Sequence, residues 1–201
     1  MDRRLWIVCG LLLGGCSAMD APESTPVVNK ALSSQIPEYV NPSPAKLPNG
    51  RRWIALGENE DRAFSIFPRP SRGFPLEETI PGLSTDFVSK GWETTTEGFG
   101  IILHEDQIVL AMHQYESIEA DEFAQVLELV KDANGIDHFT GTSLNGVDYW
   151  YTFFGHDELV ISRIPGPKKR YQVTITIGYD KVVQALGILK DVTTATKTSS
   201  I

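Results

Sequence analysis

Between Arg170 and Gly178 the chain alternates Tyr171, Val173, Ile175 and Ile177 with Gln172, Thr174 and Thr176. Strand side chains point to opposite faces with a period of two, so this segment has one apolar and one polar face. It must lie in a sheet that buries the apolar one. Other segments join it. Gly146 to Phe154 carries Val147, Tyr149, Tyr151 and Phe153 on one face and Trp150 and Phe154 on the other. Leu159 to Ile164 is a strand ended by Pro165-Gly166-Pro167. Ile101 to Leu103 and Gln107 to Tyr115 are strands joined at Glu105-Asp106. Leu110 and Met112 alternate there with Ala111 and His113, so both faces are apolar and the strand is covered on both sides. Earlier strand candidates are Arg51 to Leu56, Ala63 to Phe67 (stopped by Pro68 and Pro70), Leu76 to Ile80, and Ser84 to Lys90 running on through Trp92, Thr94 and Thr96.

Helical spacing replaces this alternation twice. In Ile118 to Ala133, Phe123, Val126, Leu127 and Val130 form one stripe at i, i+3, i+4 and i+7. Ser117 is its expected cap, Glu119, Asp121 and Glu122 suit its positive end, and Asn134-Gly135 supplies a left-handed stop. Asp180 to Lys190 is the second helix, with Val182, Val183, Leu186 and Leu189 inward. Short turns between neighbouring strands imply an antiparallel sheet with helices packed on it, an α+β fold over residues 51–192. Roughly 140 residues is an ordinary size for one core. No internal repeat is evident. The Thr/Ser/Lys-rich residues 193–201 are expected to be a disordered tail.

The first 50 residues obey different rules. Arg3-Arg4 precedes the apolar run Leu5 to Leu13, and then Gly14-Gly15-Cys16. The run is shorter than the ~20 apolar residues of a membrane-spanning helix and has the layout of a secretory signal. Leu13-Gly14-Gly15-Cys16 resembles the lipobox of bacterial lipoproteins. That resemblance implies cleavage between Gly15 and Cys16 and acylation of Cys16, so residues 1–15 are a signal peptide. In Gram-negative lipoproteins, Ser17 after the cysteine implies sorting to the outer membrane, facing the periplasm. Three acyl chains, at about 0.8 kcal/mol per buried CH₂, anchor a chain permanently where one would not. Residues 16–50 then form a flexible tether: Pro22, Pro26, Pro37, Pro42, Pro44 and Pro48 recur among Ser, Ala and Asn, with little to bury. Such a chain spans roughly 30 Å.

Composition narrows the partners. The whole chain has a formal charge of −8, and losing Arg3, Arg4 and Asp2 makes it one unit more acidic. Nucleic acid needs a cationic surface, so it is not an expected partner, and no polybasic membrane face is present. After cleavage the only cysteine is Cys16, so the domain must hold together without a disulfide. Attachment to the membrane falls to covalent lipid.

Several residues together resemble the PsbP-like family. They are Phe64-Ser65-Ile66-Phe67-Pro68 read as an opening strand, the turn-linked strands around Gly82, and the strand Ile108 to Tyr115. An acidic-capped helix, Leu144-Asn145-Gly146 leading into a strand, Arg170-Tyr171-Gln172-Val173 and a closing helix complete the set. The resemblance covers about 130 residues. It implies an α/β/α sandwich and roles in assembly, binding or scaffolding. It carries no catalytic motif.

Candidate chemistry is sparse. His104, His113, His138 and His156 make no His-x-x-x-His pair. His104, His113 and His138 are weak metal candidates, for a metal-dependent hydrolase. On strand parity His113 is a half-buried, hydrogen-bonded side chain. Glu58, Glu60 and Asp61 lack calcium-loop spacing and read as solvated loop charges. Lys168-Lys169-Arg170 form a basic hairpin tip. Nucleophile elbow and phosphate loop are both missing from the sequence, and no cofactor is expected. The strongest cluster is Tyr149, Trp150, Tyr151, Phe153 and Phe154. It predicts a central strand in a two-sided core, or a ligand or partner groove centred on Tyr149, Trp150 and Tyr151. The reading that follows is a non-enzymatic envelope lipoprotein that binds a protein partner. A ligand-binding or inhibitor module is the alternative.

Overall fold

The computed structural model describes residues 43–67, 72–75 and 86–187. Cys16, the signal segment, the tether up to residue 42, Leu76 to Ile80 and the tail lie outside them. In chain order the elements are β1 (Lys46–Asn49), β2 (Arg52–Ala55), α1 (Glu60–Ile66), β3 (Arg72–Pro75), β4 (Phe87–Glu93), β5 (Glu97–His104) and β6 (Gln107–Ile118). Then follow α2 (Ala120–Asn134), β7 (Thr140–Leu144), β8 (Val147–Phe154), β9 (Asp157–Pro165), a 3-10 turn at Pro167–Lys169, β10 (Tyr171–Tyr179) and α3 (Asp180–Ala185). Eight strands form one sheet in the order β3-β4-β5-β6-β10-β9-β8-β7, with β1 and β2 a separate hairpin. Every pairing is antiparallel, as the short turns imply. The α+β class therefore holds.

The strand order reveals a repeat that the sequence hides. A helix and a four-strand meander (α1, β3 to β6) are followed by a second helix and meander (α2, β7 to β10), and the last strands of the two meanders pair at the centre. The starts of α1 and α2, of β4 and β8, and of β5 and β9 are each 60 residues apart. The antiparallel pairing of β6 with β10 relates the halves by an approximate two-fold axis through the sheet. Side chains at this spacing are seldom alike: Ile101 matches Ile161, but Lys90 stands at the place of Trp150 and Gly98 at that of Glu158.

One face of the sheet is covered by α1, α2 and the β1–β2 hairpin. Paired residues share a face, so Trp150, Ile161, Ile175, His113 and Phe99 form one row across five strands beneath this cover. Ala45, Leu47, Ile54, Leu56, Phe67, Phe123 and Val130 descend onto it. On the other face α3 sits over the ends of β9, β10 and β6. Gly178 makes that approach possible, because a Cβ there would stand 2.7 Å from Val183 Cγ2.

Several expectations need correction. Ala63 to Phe67 is not a strand but the end of α1 and its cap. Asn59 accepts from the Arg62 amide, Glu60 and Asp61 fill the first turn, and Ala63 and Phe67, four apart, face the core. The segment that suggested a PsbP-like opening strand is thus helical. Residues 43–50 belong to the folded body rather than the tether, since Ala45 and Leu47 are fully buried and β1 pairs with β2. The cap of α2 is Glu119, whose amide donates to Glu122, while Ser117 stays exposed. Gly135 does stop α2 in the left-handed region, at φ 62°. β7 was not expected at all, because Thr140-Gly141-Thr142-Ser143-Leu144 has no apolar alternation.

Candidate functional site

Beyond α3 no described element covers the second face where β8, β9, β10 and the end of β6 meet. β8 presents Tyr149, Tyr151 and Phe153 to it, β9 presents Ser162 and Ile164, β10 presents Gln172 and Thr174, and β6 presents Gln114 and Glu116. Phe153 is 53% exposed and Ile164 42%. A transverse row runs Thr142, Tyr149, Ser162, Thr174, Gln114, all half-buried. Gln114 Nε2 donates to Glu116 Oε1 at 2.5 Å and Gln172 Nε2 to Glu116 Oε2 at 3.4 Å, so the polar side is already organised. Tyr151 and Phe153 meet edge to face, with centroids 5.8 Å apart. The result is a shelf with aromatic rings on one side and hydroxyls and amides on the other. It can stack against and hydrogen-bond an extended or planar partner.

Glu158 lies at the α3 end of this face, cross-strand from Phe153 and from Gly178. It is 3% exposed, and its Oε2 has no hydrogen-bond partner among the described residues. Burial, reinforced by Asp180 and opposed by Lys181, pushes its carboxyl up to about 7. Asp157 next to it is also raised, by burial, although the Ser43 hydroxyl donates to it.

Two aromatic cages lie on the covered face. In the first, His113 stacks on Phe99 at 4.2 Å and also touches Tyr115 at 4.2 Å and Phe67 at 6.0 Å. Glu97 Oε2 lies 3.1 Å from His113 Nε2, which places the neutral ring's proton on Nε2. His113 is only 1% exposed, so desolvation lowers its pKa despite Glu97. The Pro48 carbonyl also favours the charged ring, yet Nδ1 has no hydrogen-bond partner among the described residues. Burial, with the Glu97 charge, pushes Tyr115 up to about 12. In the second cage the Arg163 guanidinium lies 4.9 Å from the Phe123 ring centre, 5.0 Å from Trp150 and 4.6 Å from Tyr171. Its Nε and Nη2 donate to Asp148 Oδ2 at 3.1 and 2.6 Å. The Ser143 hydroxyl and then Arg163 hold the Asp148 carboxyl below its usual range.

The aromatic cluster expected from sequence is split by the sheet. Tyr149 and Tyr151 lie on the open shelf, whereas Trp150 packs on Phe123, with ring centres 5.0 Å apart, on the covered face. β8 is next to the sheet edge, not central, and no described element covers its second face. The histidines do not converge. His104 ends β5 against Phe87 at 4.8 Å, His113 is caged in β6, His138 is exposed before β7, and His156 is exposed in the β8–β9 turn. Among the described residues no group of three or more His, Cys, Asp or Glu could hold a metal. His113 is buried rather than half-buried. Glu58 and Glu60 are structural: Glu58 accepts from the Ala55 amide and pairs with Arg62, and Glu60 pairs with Lys90. Arg170 of the basic tip reaches back to the Ser117 carbonyl and Glu119. Sequence reasoning missed Glu97, Glu158 and the Arg163–Asp148 pair. Arg163 did leave a signal, since it shares strand parity with Leu159 and Ile161 and so had to find partners inside.

No family model and no curated protein matches the chain. Among solved structures, a cysteine-rich secretory protein from Staphylococcus aureus is similar over 71% of this chain and 50% of its own, at 9% identity and a TM-score of 0.39. This chain thus spans about half the length of that protein. No helix among the described residues is long and apolar enough to cross a membrane.

Proposed function

We propose that this chain is a cell-envelope lipoprotein, held to the membrane by acyl chains on Cys16, whose domain is a non-enzymatic binding or assembly module for an envelope protein. The observation that carries the reading is Leu13-Gly14-Gly15-Cys16 behind a short apolar run with an Arg-Arg start. In a Gram-negative host the anchor is in the outer membrane and the domain faces the periplasm. A fold of the PsbP-like kind is the finer reading of the α+β class, supported by helices on both faces of an antiparallel sheet. The shelf of half-buried Tyr149 and Tyr151 with exposed Phe153 is the surface that takes the partner, since aromatics beside ordered polar groups are what interface centres are made of.

Two measurements test this. Cys16→Ser should move the protein from the membrane to the soluble fraction, and retention in the membrane would refute the anchor. Crosslinked capture from native membranes should recover a partner that Tyr151→Ala with Phe153→Ala loses. Equal recovery by that variant would remove the shelf as the binding surface.

A further inference from the structure

The two edges of the eight-stranded sheet differ. β3 contains Arg72 and Pro75, and a proline has no amide to offer a further strand. β7 contains neither charge nor proline, and from His138 to Val147 the sequence has no Asp, Glu, Lys or Arg. Among the described residues no backbone hydrogen bond reaches the outer side of β7. The two-residue turn Asn145-Gly146, with φ 52° and 81°, joins β7 to β8 and makes Leu144 and Val147 its closing hydrogen-bonded pair. Hydrogen bonding then alternates along the ladder, so Thr142 and Thr140 also bond β8, while Gly141 and Ser143 turn their N–H and C=O outward. Those four outward groups lie symmetrically about Thr142.

We propose that β7 pairs antiparallel with β7 of a second copy, about a two-fold axis at Thr142. In that register Gly141 faces Ser143 of the other copy and Ser143 faces its Gly141, and each pair closes two hydrogen bonds. All four outward groups are satisfied. Thr142 faces its own equivalent in the close, non-hydrogen-bonded position, where threonine pairs are favourable. The occupant is a second copy for three reasons. The edge is self-complementary in this register. Two molecules that each carry a charge of −8 meet there along an uncharged strip. The chain also pairs equivalent strands of its own halves, β6 and β10, in this way. The chain's own tether is a poor competitor, because its recurring prolines remove the donors a strand must supply. A five-residue edge buries little area, so the dimer is a weak one. The proposal does not depend on the anchor or on the aromatic shelf.

Single cysteines test it in the full chain carrying Cys9→Ser and Cys16→Ser. Non-hydrogen-bonded antiparallel pairs have Cα atoms about 4.5 Å apart, within disulfide range. Under mild oxidation Thr142→Cys should give covalent dimer about tenfold faster than Ser143→Cys, which faces Gly141 of the other copy, or Gln125→Cys, exposed on α2. Denaturant should abolish the difference. If Ser143→Cys matches Thr142→Cys, the register is wrong and the proposal falls. If neither exceeds Gln125→Cys, the edge does not meet a second copy and the proposal also falls.

Discussion

His113 and Arg163 sit in comparable cages on the same face of the sheet, one in each half of the repeat. Each has three aromatic neighbours and one carboxylate: Phe67, Phe99, Tyr115 and Glu97 for His113, and Phe123, Trp150, Tyr171 and Asp148 for Arg163. A helical segment closes each, with Phe67 capping α1 and Phe123 in the first turns of α2. What differs is depth. His113 is in a central strand and 1% exposed, and its charge is suppressed. Arg163 is one strand further out with its side chain 24% exposed, and its guanidinium cannot lose its proton. The same architecture therefore holds a neutral ring in one half and a fixed cation in the other. The side chain itself decides which: desolvation lowers the pKa of the imidazole despite its aromatic cage and carboxylate, while an arginine has no neutral form to fall back on.

Removing the fixed cation should have the largest effect. Arg163→Ala takes away three ring contacts, the buried stem and the partner of Asp148, and is expected to cost about 3 kcal/mol in denaturant unfolding. Arg163→Lys should recover less than half of that, since a lysine supplies neither the plane nor the fork. A cost for Arg163→Ala below about 1 kcal/mol would mean that the rings pack well without the cation.

Glu158, on the opposite face, tests whether depth alone sets the sign. Its carboxyl is raised from 4.5 to about 7, so the folded protein holds a proton that the unfolded chain releases between those values. Glu158 therefore costs nothing below pH 4.5, and stability falls as pH rises through 7, by up to about 3 kcal/mol. Glu158→Gln should remove that fall, gaining on the natural protein between pH 5 and pH 8 in urea unfolding. An unchanged pH slope would show that Glu158 is ionised in the folded state.

His113 works the other way, and more weakly. Its pKa is lowered below 6.5, so folding expels a proton that the unfolded chain binds, and stability falls as pH drops from 6.5 through the folded value. His113→Phe should cost less than about 1.5 kcal/mol at pH 8, where both states are neutral, and should gain on the natural protein as the solution becomes acidic. In the natural protein the His113 and Glu158 slopes oppose each other, so His113→Phe should fall more steeply with rising pH than the parent, and Glu158→Gln should leave only the weaker, opposite slope of His113. A His113→Phe slope no steeper than the parent's would break this pairing.

Much of the fold was legible because it rests on periodicity. β10, β8 and β6 were readable from alternation, and α2 from the stripe of Phe123, Val126, Leu127 and Val130. α1 was not, because in seven residues two inward side chains at i and i+4 satisfy a strand reading as well. β7 was invisible because a largely exposed edge strand, paired on one side only, needs no apolar pattern. The site was legible in kind but not in geometry. Parity put Tyr149 and Tyr151 opposite Trp150, yet only the strand order shows that β8 lies beside an edge. Cross-strand partners such as Glu97 for His113 and Asp148 for Arg163 depend on register, which no single segment encodes. The repeat escaped because side chains at the common spacing are seldom alike.

The smallest expected effect concerns the carboxylate of the shallower cage. Asp148 is 29% exposed, so its bond to Arg163 is partly screened, and Asp148→Asn should cost only about 0.5 to 1 kcal/mol at pH 7. Its carboxyl is held below 3.8 by Ser143 and Arg163, so this contribution is complete above that value and is lost as pH falls through the lowered one. A double-mutant cycle with Arg163→Ala separates the ion pair from the ring contacts. If coupling is near zero while Arg163→Ala alone remains costly, the rings hold the cation and Asp148 only orients it. If coupling accounts for most of the Arg163→Ala cost, the two cages are less alike than their geometry. Arg163 would then be held by its carboxylate, while His113 remains a ring packed among rings.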